Sequence, residues 1–209
     1  MKDIIVLDYG LGNIKSVYQA IKKTAFENKI SAKVKISNNV SDLDSSSHIV
    51  LPGQGAFKSC MDGLKSIPGI IDTLKQNVLV QKKPFFGICV GMQLLAKQSY
   101  ENGKHEGLGW IDGEILKLPE KKLKLPHIGW NEVILTNPKN IFENFINNDY
   151  YFVHSYYFNC KDKNNEIAKT NYVIDFSSIV GKENIYGVQF HPEKSSDQGQ
   201  AIISKFLSL

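Results

Sequence analysis

The chain has no arginine: every one of its 25 basic residues is lysine, set against 21 acidic residues for a formal net charge of +4 over 209 residues. Arginine's bidentate fork is the usual reader of base edges, so nucleic acid is not an expected partner. Paired lysines such as Lys82–Lys83 and Lys121–Lys122 read as solvated faces. Cysteine is sparse as well. Cys60, Cys89 and Cys160 are odd in number and far apart, so a disulfide framework is not expected. The five histidines (His48, His105, His127, His154, His191) are scattered and lack zinc-ligand spacing, so neither a metal nor another cofactor is expected. Long apolar runs are missing too. The run from Met1 to Asp8 is too short for a signal sequence, and no segment reaches spanning length, which leads to the expectation of a cytoplasmic protein without membrane contact. Nor is there an internal repeat, a low-complexity tract or a linker, so residues 1–209 are read as a single domain.

What is present is an α/β pattern. Ile4 to Leu7 reads as a buried strand, and the turn Gly10-Leu11-Gly12-Asn13 leads into Ile14, Val17, Tyr18 and Ile21 at helical spacing. The turn is not a dinucleotide fingerprint, because Lys15 stands where the third glycine is required. His48 to Leu51 is a second strand, followed by the loop Pro52-Gly53-Gln54-Gly55 and helical patterns over Ala56 to Leu64 and Ile70 to Val80. Phe85 to Ile88 is the next strand, with Met92, Leu94 and Leu95 facing inward from a helix that starts beside Cys89. Beyond about residue 105 the pattern shortens to alternating segments such as Trp110–Leu116, Asn131–Leu135 and Tyr150–Phe158, read as antiparallel strands added to the sheet. Ile202, Ile203, Phe206 and Leu207 share a face of a closing helix. The fold class is therefore α/β, a mostly parallel central sheet flanked by helices with antiparallel strands added.

The chemistry gathers at Gly87-Ile88-Cys89-Val90-Gly91, where an apolar strand meets a helix pattern. Flanking glycines permit a sharp turn that lifts the central residue above the sheet edge, and first-turn amides favour a thiolate. A cysteine in an apolar run is also an ordinary core residue; Cys60 and Cys160, which lack this context, are read as structural. His191-Pro192-Glu193 offers a base and a carboxylate two residues apart, on one face if the segment is extended, with Pro192 fixing their relation. Cys89, His191 and Glu193 thus read as nucleophile, base and orienter. The Pro52–Gly55 loop could turn amides toward an oxyanion, or be a plain glycine turn.

With those motifs in view, the chain resembles, over nearly its whole length, the class I (triad) glutamine amidotransferases, whose architecture is flavodoxin-like. Gly87–Gln93 looks like their nucleophile motif, Pro52–Gly55 like their oxyanion loop and Phe190–Glu193 like their His-x-Glu motif. Pro126–Asn131, Tyr151–Tyr156, Gly187–Ser195 and Asp8–Asn13 with Ser16 look most like the glutaminase subunit of imidazole glycerol phosphate synthase.

The resemblance implies that Cys89 attacks the carboxamide of L-glutamine, that Val90 and the Gly53-Gln54 segment supply oxyanion amides, and that Gly53, Gln93, Ser155 and Tyr156 bind glutamine. It further implies that ammonia passes through a closed interface to a (β/α)8-barrel cyclase subunit, HisF, in a heterodimer serving histidine biosynthesis, with Asn13, Trp130 and Lys182 as contacts. Gln54 departs from the small or β-branched residue usual in that loop. The residues also leave open a paralogous ammonia supplier for surface-sugar amidination, a free-standing γ-glutamyl cysteine hydrolase, and a non-catalytic binder, against which an intact triad argues.

Overall fold

A computed structural model describes residues 1–120, 123–137, 141–142 and 147–209; Lys121 and Lys122 lie outside the described residues. The opening follows the expected β-turn-α course. Strand β1 (Lys2–Leu7) leads into α1 (Ile14–Glu27), which buries Val17, Ile21, Thr24 and Ala25. Then come β2 (Ala32–Ser37), α2 (Val40–Ser45) and β3 (His48–Gly53). Strand β2 escapes a search for apolar runs because it is an alternating edge strand whose Lys33 and Lys35 face solvent, which also blunts that edge. Helix α3 (Phe57–Lys65) is followed by α4 (Ile70–Leu74), which widens into a π-helical turn over Lys75–Val80. That widening departs from the regular helix expected over residues 70–80; buried Asn77 bonds the Thr73 carbonyl and Asp44 there, each at 2.8 Å.

Strand β4 (Phe85–Cys89) runs straight into α5 (Val90–Gln93), and β13 (Ile185–Val188) pairs parallel with it. The parallel half of the sheet has the order β2-β1-β3-β4-β13, in keeping with the flavodoxin-like arrangement, in which ligands sit beyond the carboxyl ends of the strands. Beyond β13 the sheet continues through antiparallel β12 (Ile174–Lys182), β10 (Tyr156–Cys160) and β7 (Gly113–Lys117), then β5 (Gln98–Ser99) and β6 (His105–Glu106). A side branch of β11 (Glu166–Tyr172), β8 (His127–Leu135) and β9 (Asn148–His154) folds over this half. Trp110 and Ile111 are buried in a turn before β7 rather than inside a strand. The β-prone run Tyr150–Phe158 is two strands that part at Ser155, a corner that turns Ser155 and Tyr156 toward the carboxyl end of β4. Helix α6 (Ser196–Leu207) closes the chain against the core, Phe206 stacking on Phe86 with ring centroids 5.0 Å apart. Among the described residues no helix is long and apolar enough to cross a membrane.

Candidate active site

Cys89 ends β4 with φ 56° and ψ −113°, a left-handed backbone that a side chain seldom adopts. The neighbouring glycines permit it by letting backbones touch. A Cβ on Gly91 would lie 1.9 Å from the Leu51 carbonyl oxygen, one on Gly87 2.5 Å from the Gly91 oxygen, and one on Gly53 2.4 Å from the Gly91 nitrogen. These contacts weld the end of β3 to the elbow. Helix α5 is only four residues long, shorter than the pattern from Val90 to Leu95 suggested, although Met92, Leu94 and Leu95 are all buried as expected. What faces the sulfur is a first helical turn, whose opening amides have no intrahelical acceptor, rather than a long dipole.

The histidine and glutamate sit beyond β13. His191 is extended, but Pro192–Lys194 forms a 3-10 turn, so the two side chains meet across a turn rather than along a strand. The meeting itself holds: His191 Nδ1 lies 2.9 Å from Glu193 Oε1, both side chains being almost wholly buried. Ser195 anchors the base, its hydroxyl donating to the His191 carbonyl at 2.7 Å and accepting from the Tyr151 amide at 3.0 Å. The His191 amide in turn donates to the Tyr151 carbonyl at 2.9 Å. Burial pushes the imidazole pKa down, but hydrogen bonds to Cys89 and Glu193, with their charges, outweigh it and lift the value to about 10. His191 therefore favours its charged form beside the sulfur. By contrast Cys60 and Cys160 are buried thiols whose pKa burial raises, to about 12 for Cys160, in keeping with structural roles.

A cleft of about 280 Å³ opens over Cys89 and is lined by Gln54, Gly55, Val90, Gln93, Ser155, Tyr156 and His191, among others. It unites most of the residues singled out in the sequence. Gly53 is not on its wall; it lies beneath, against Val90 and Gly91. The loop above is braced from behind, Tyr9 donating its hydroxyl to the Pro52 carbonyl at 2.7 Å and Cys60 its thiol to the Gln54 carbonyl at 3.5 Å. Glu101, also on the wall, accepts from the Phe57 amide at 2.6 Å and so caps α3.

The three expected partner contacts fare differently. Trp130 is half exposed on β8, its ring edge-on to Tyr151 of the neighbouring strand, two residues along from Val153 of the cleft wall. Asn13 turns inward and donates to Glu193 Oε1 at 3.3 Å, which makes it a support of the triad. Lys182 is displaced altogether: it pairs with Ile185, which pairs with Phe85, at the end of β4 and β13 remote from Cys89. The lysine at the site is Lys194, on the cleft wall directly after Glu193.

Sequence reading missed a polar chain behind the sulfur. Gln189, fully buried, aims its amide nitrogen at Cys89 Sγ, 3.8 Å away, while its oxygen accepts from Gln93 Nε2 at 3.0 Å. Gln93 also donates to the Tyr156 carbonyl at 2.9 Å. His154 Nδ1 donates to that same carbonyl at 2.9 Å, His127 Nδ1 donates to His154 Nε2 at 3.0 Å, and Asn131 donates to His127 Nε2 at 3.2 Å. The signal was Gln189 itself, two residues before His191 and directly after β13, the strand alongside β4.

The family profile described as glutamine amidotransferase class-I matches residues 5–209. The chain is similar to the imidazole glycerol phosphate synthase subunit HisH of Pelagibacter ubique, 44% identical over 99% of this chain and 100% of that one. The subunit of the same name from Brucella suis is 39% identical over 98% of this chain and 97% of its own length. Among solved structures, a glutamine amidotransferase aligns with a TM-score of 0.73 at 16% identity, covering 98% of this chain and 99% of its own. One from Thermotoga maritima aligns at 0.59 and 16% identity, covering 96% and 80%.

Proposed function

The chain belongs to the class-I glutamine amidotransferases, and from that premise we propose that it is the glutaminase subunit of imidazole glycerol phosphate synthase, a cytoplasmic single-domain protein of histidine biosynthesis. The observation that carries the reading is the joined triad: a strained cysteine elbow and a histidine held above its ordinary pKa on one cleft, with a buried glutamate 2.9 Å from that histidine behind them. Near-full-length identity of 44% to a subunit of that synthase supplies the pathway.

In this mechanism glutamine enters the cleft with its side-chain amide over Cys89. The thiol proton passes to His191, and sulfur attacks the carboxamide carbon; the oxyanion is held by the Val90 N–H and by the amide of the Gly53–Gln54 peptide. His191 returns the proton to the departing nitrogen, ammonia leaves, and a γ-glutamyl thioester remains on Cys89. Water then attacks the thioester while His191 takes its proton, glutamate departs, and the proton returns to sulfur. Glu193, steadied by Asn13, stabilises the imidazolium in both halves. Gln93, Ser155 and Tyr156 hold the rest of the glutamine, their place on the wall supporting that role.

Ammonia must reach its acceptor unprotonated, so a (β/α)8-barrel cyclase subunit covers the cleft as the other half of a heterodimer. The exposed Ile128 and Trp130 of β8, with Lys194 nearby, are the docking surface on this chain. Glutamate release from glutamine, assayed with the chain alone and with its cyclase subunit, tests the reading. It predicts release that depends on Cys89 and is strongly stimulated in the complex; equal turnover without the cyclase would instead favour a free-standing hydrolase.

A further inference from the structure

We propose that Gln189 is a catalytic residue whose side-chain amide donates a hydrogen bond to the Cys89 sulfur and holds it as the thiolate. The inference rests on Cys89 being the nucleophile, as read above. It begins with the orientation of one amide. The Tyr156 carbonyl can only accept, so the Gln93 atom 2.9 Å from it is the amide nitrogen. That nitrogen's second hydrogen points to the Gln189 side chain at 3.0 Å, so the Gln189 atom facing it is the oxygen. The remaining terminal atom, 3.8 Å from Cys89 Sγ, is therefore the N–H donor. Turning Gln93 over would set oxygen against oxygen at the Tyr156 carbonyl, and turning Gln189 over would set nitrogen against nitrogen at Gln93.

The anchor of this logic is itself held. His154 Nδ1 donates to the same Tyr156 carbonyl from the other direction, and His154 is oriented by His127, which is oriented by Asn131. Gln189 is fully buried and its main-chain amide is fixed to the Ser178 carbonyl at 2.9 Å. The side chain thus has one orientation, in a site with little water to screen it. A donor aimed at sulfur favours the anion over the neutral thiol, because the anion is much the better acceptor. Once the thioester forms, the sulfur loses its charge and this bond weakens, so Gln189 acts on the attacking and leaving states of the sulfur. His191 is the proton carrier; Gln189 carries no proton and supplies a fixed dipole.

The test is the pH dependence of Cys89 alkylation by iodoacetamide, followed on the Cys89 peptide by mass spectrometry in the full chain and in Gln189→Glu and Gln189→Met. Gln189→Glu keeps the acceptor for Gln93 but sets a carboxylate oxygen against sulfur, and is expected to move the midpoint upward by about one pH unit or more; Gln189→Met, which removes the donor together with the acceptor for Gln93 and places no charge against sulfur, moves it less. A change in access to the sulfur would alter the alkaline plateau rather than the midpoint. Gln93→Met, which frees the Gln189 amide without altering any residue against the sulfur, is expected to give a smaller shift in the same direction and serves if a Gln189 variant fails to fold. Midpoints that coincide in folded variants would overturn the proposal. Alkylation needs neither glutamine nor a cyclase, so a shifted midpoint in a chain that releases no glutamate would contradict the glutaminase reading and leave this one standing.

Discussion

Cys89 is held in a conformation its own side chain disfavours, and the cost is met by three glycines that no other residue could replace without moving backbone. Gly91→Ala is the sharpest test of that statement. Its Cβ would meet the Leu51 carbonyl at 1.9 Å, so thermal unfolding should show a loss of about 3 kcal/mol or a failure to fold; an unchanged midpoint would mean the elbow is not clamped as described. At the other end of the triad, Glu193→Gln preserves shape but removes the charge facing the imidazolium. The expected result is a fall in glutaminase kcat of about 10²-fold or more with little change in KM, measured in the complex. The sequence made these residues legible because strain and catalysis leave compositional marks: glycines around a cysteine, proline between a histidine and a glutamate. It could not separate Lys182 from Lys194, because only strand direction tells which end of β13 faces the cleft.

At the level of elements, the site is made where parallel β3, β4 and β13 end and where the β9–β10 corner folds across them. Strands β1, β3 and β4 and most of the helices were readable from apolar runs and 3.6-residue spacing. The edge strand β2, the π-helical turn and the break at Ser155 were not, because each is decided by partners distant in sequence: solvent on one side of β2, Asp44 beneath Asn77, and two different neighbours for β9 and β10. The β8–β9 hairpin has the clearest consequence for assembly. Ile128 and Trp130 stand outward on it, exposed at 59% and 52%, with the ring of Trp130 resting on Tyr151, whose carbonyl holds His191. Trp130→Ala should leave thermal stability nearly unchanged yet weaken binding of the cyclase by about 2 kcal/mol, or roughly 30-fold in Kd by calorimetry. Equal affinity would move the docking surface elsewhere.

Over the whole molecule, buried histidines set the acid limit of stability. Burial lowers His48 and His127 from 6.5 to about 4, and His154 to about 3. Between pH 6.5 and about 4 the unfolded chain binds protons at these sites that the folded chain refuses, so stability falls as pH falls, by about 1.4 kcal/mol per pH unit for each histidine. Urea unfolding at pH 7, 6 and 5 should show that decline steepening toward three protons, and a flat profile over the window would contradict it. His191 acts in the opposite sense: its folded pKa is raised, so its contribution is present below 6.5 and is lost as pH rises through about 10. The same arrangement that holds the imidazolium of His191 at the elbow thereby ties part of the molecule's alkaline stability to its chemistry.

The central claim is that Cys89 carries a γ-glutamyl group in turnover, and acid-quenched peptide mass spectrometry of the complex during steady-state glutamine hydrolysis tests it most directly. The account predicts a γ-glutamyl adduct on the peptide bearing Cys89, none on those bearing Cys60 or Cys160, and no adduct and no glutamate in Cys89→Ala. Sustained glutamate release by Cys89→Ala, or an adduct on another cysteine, would contradict it.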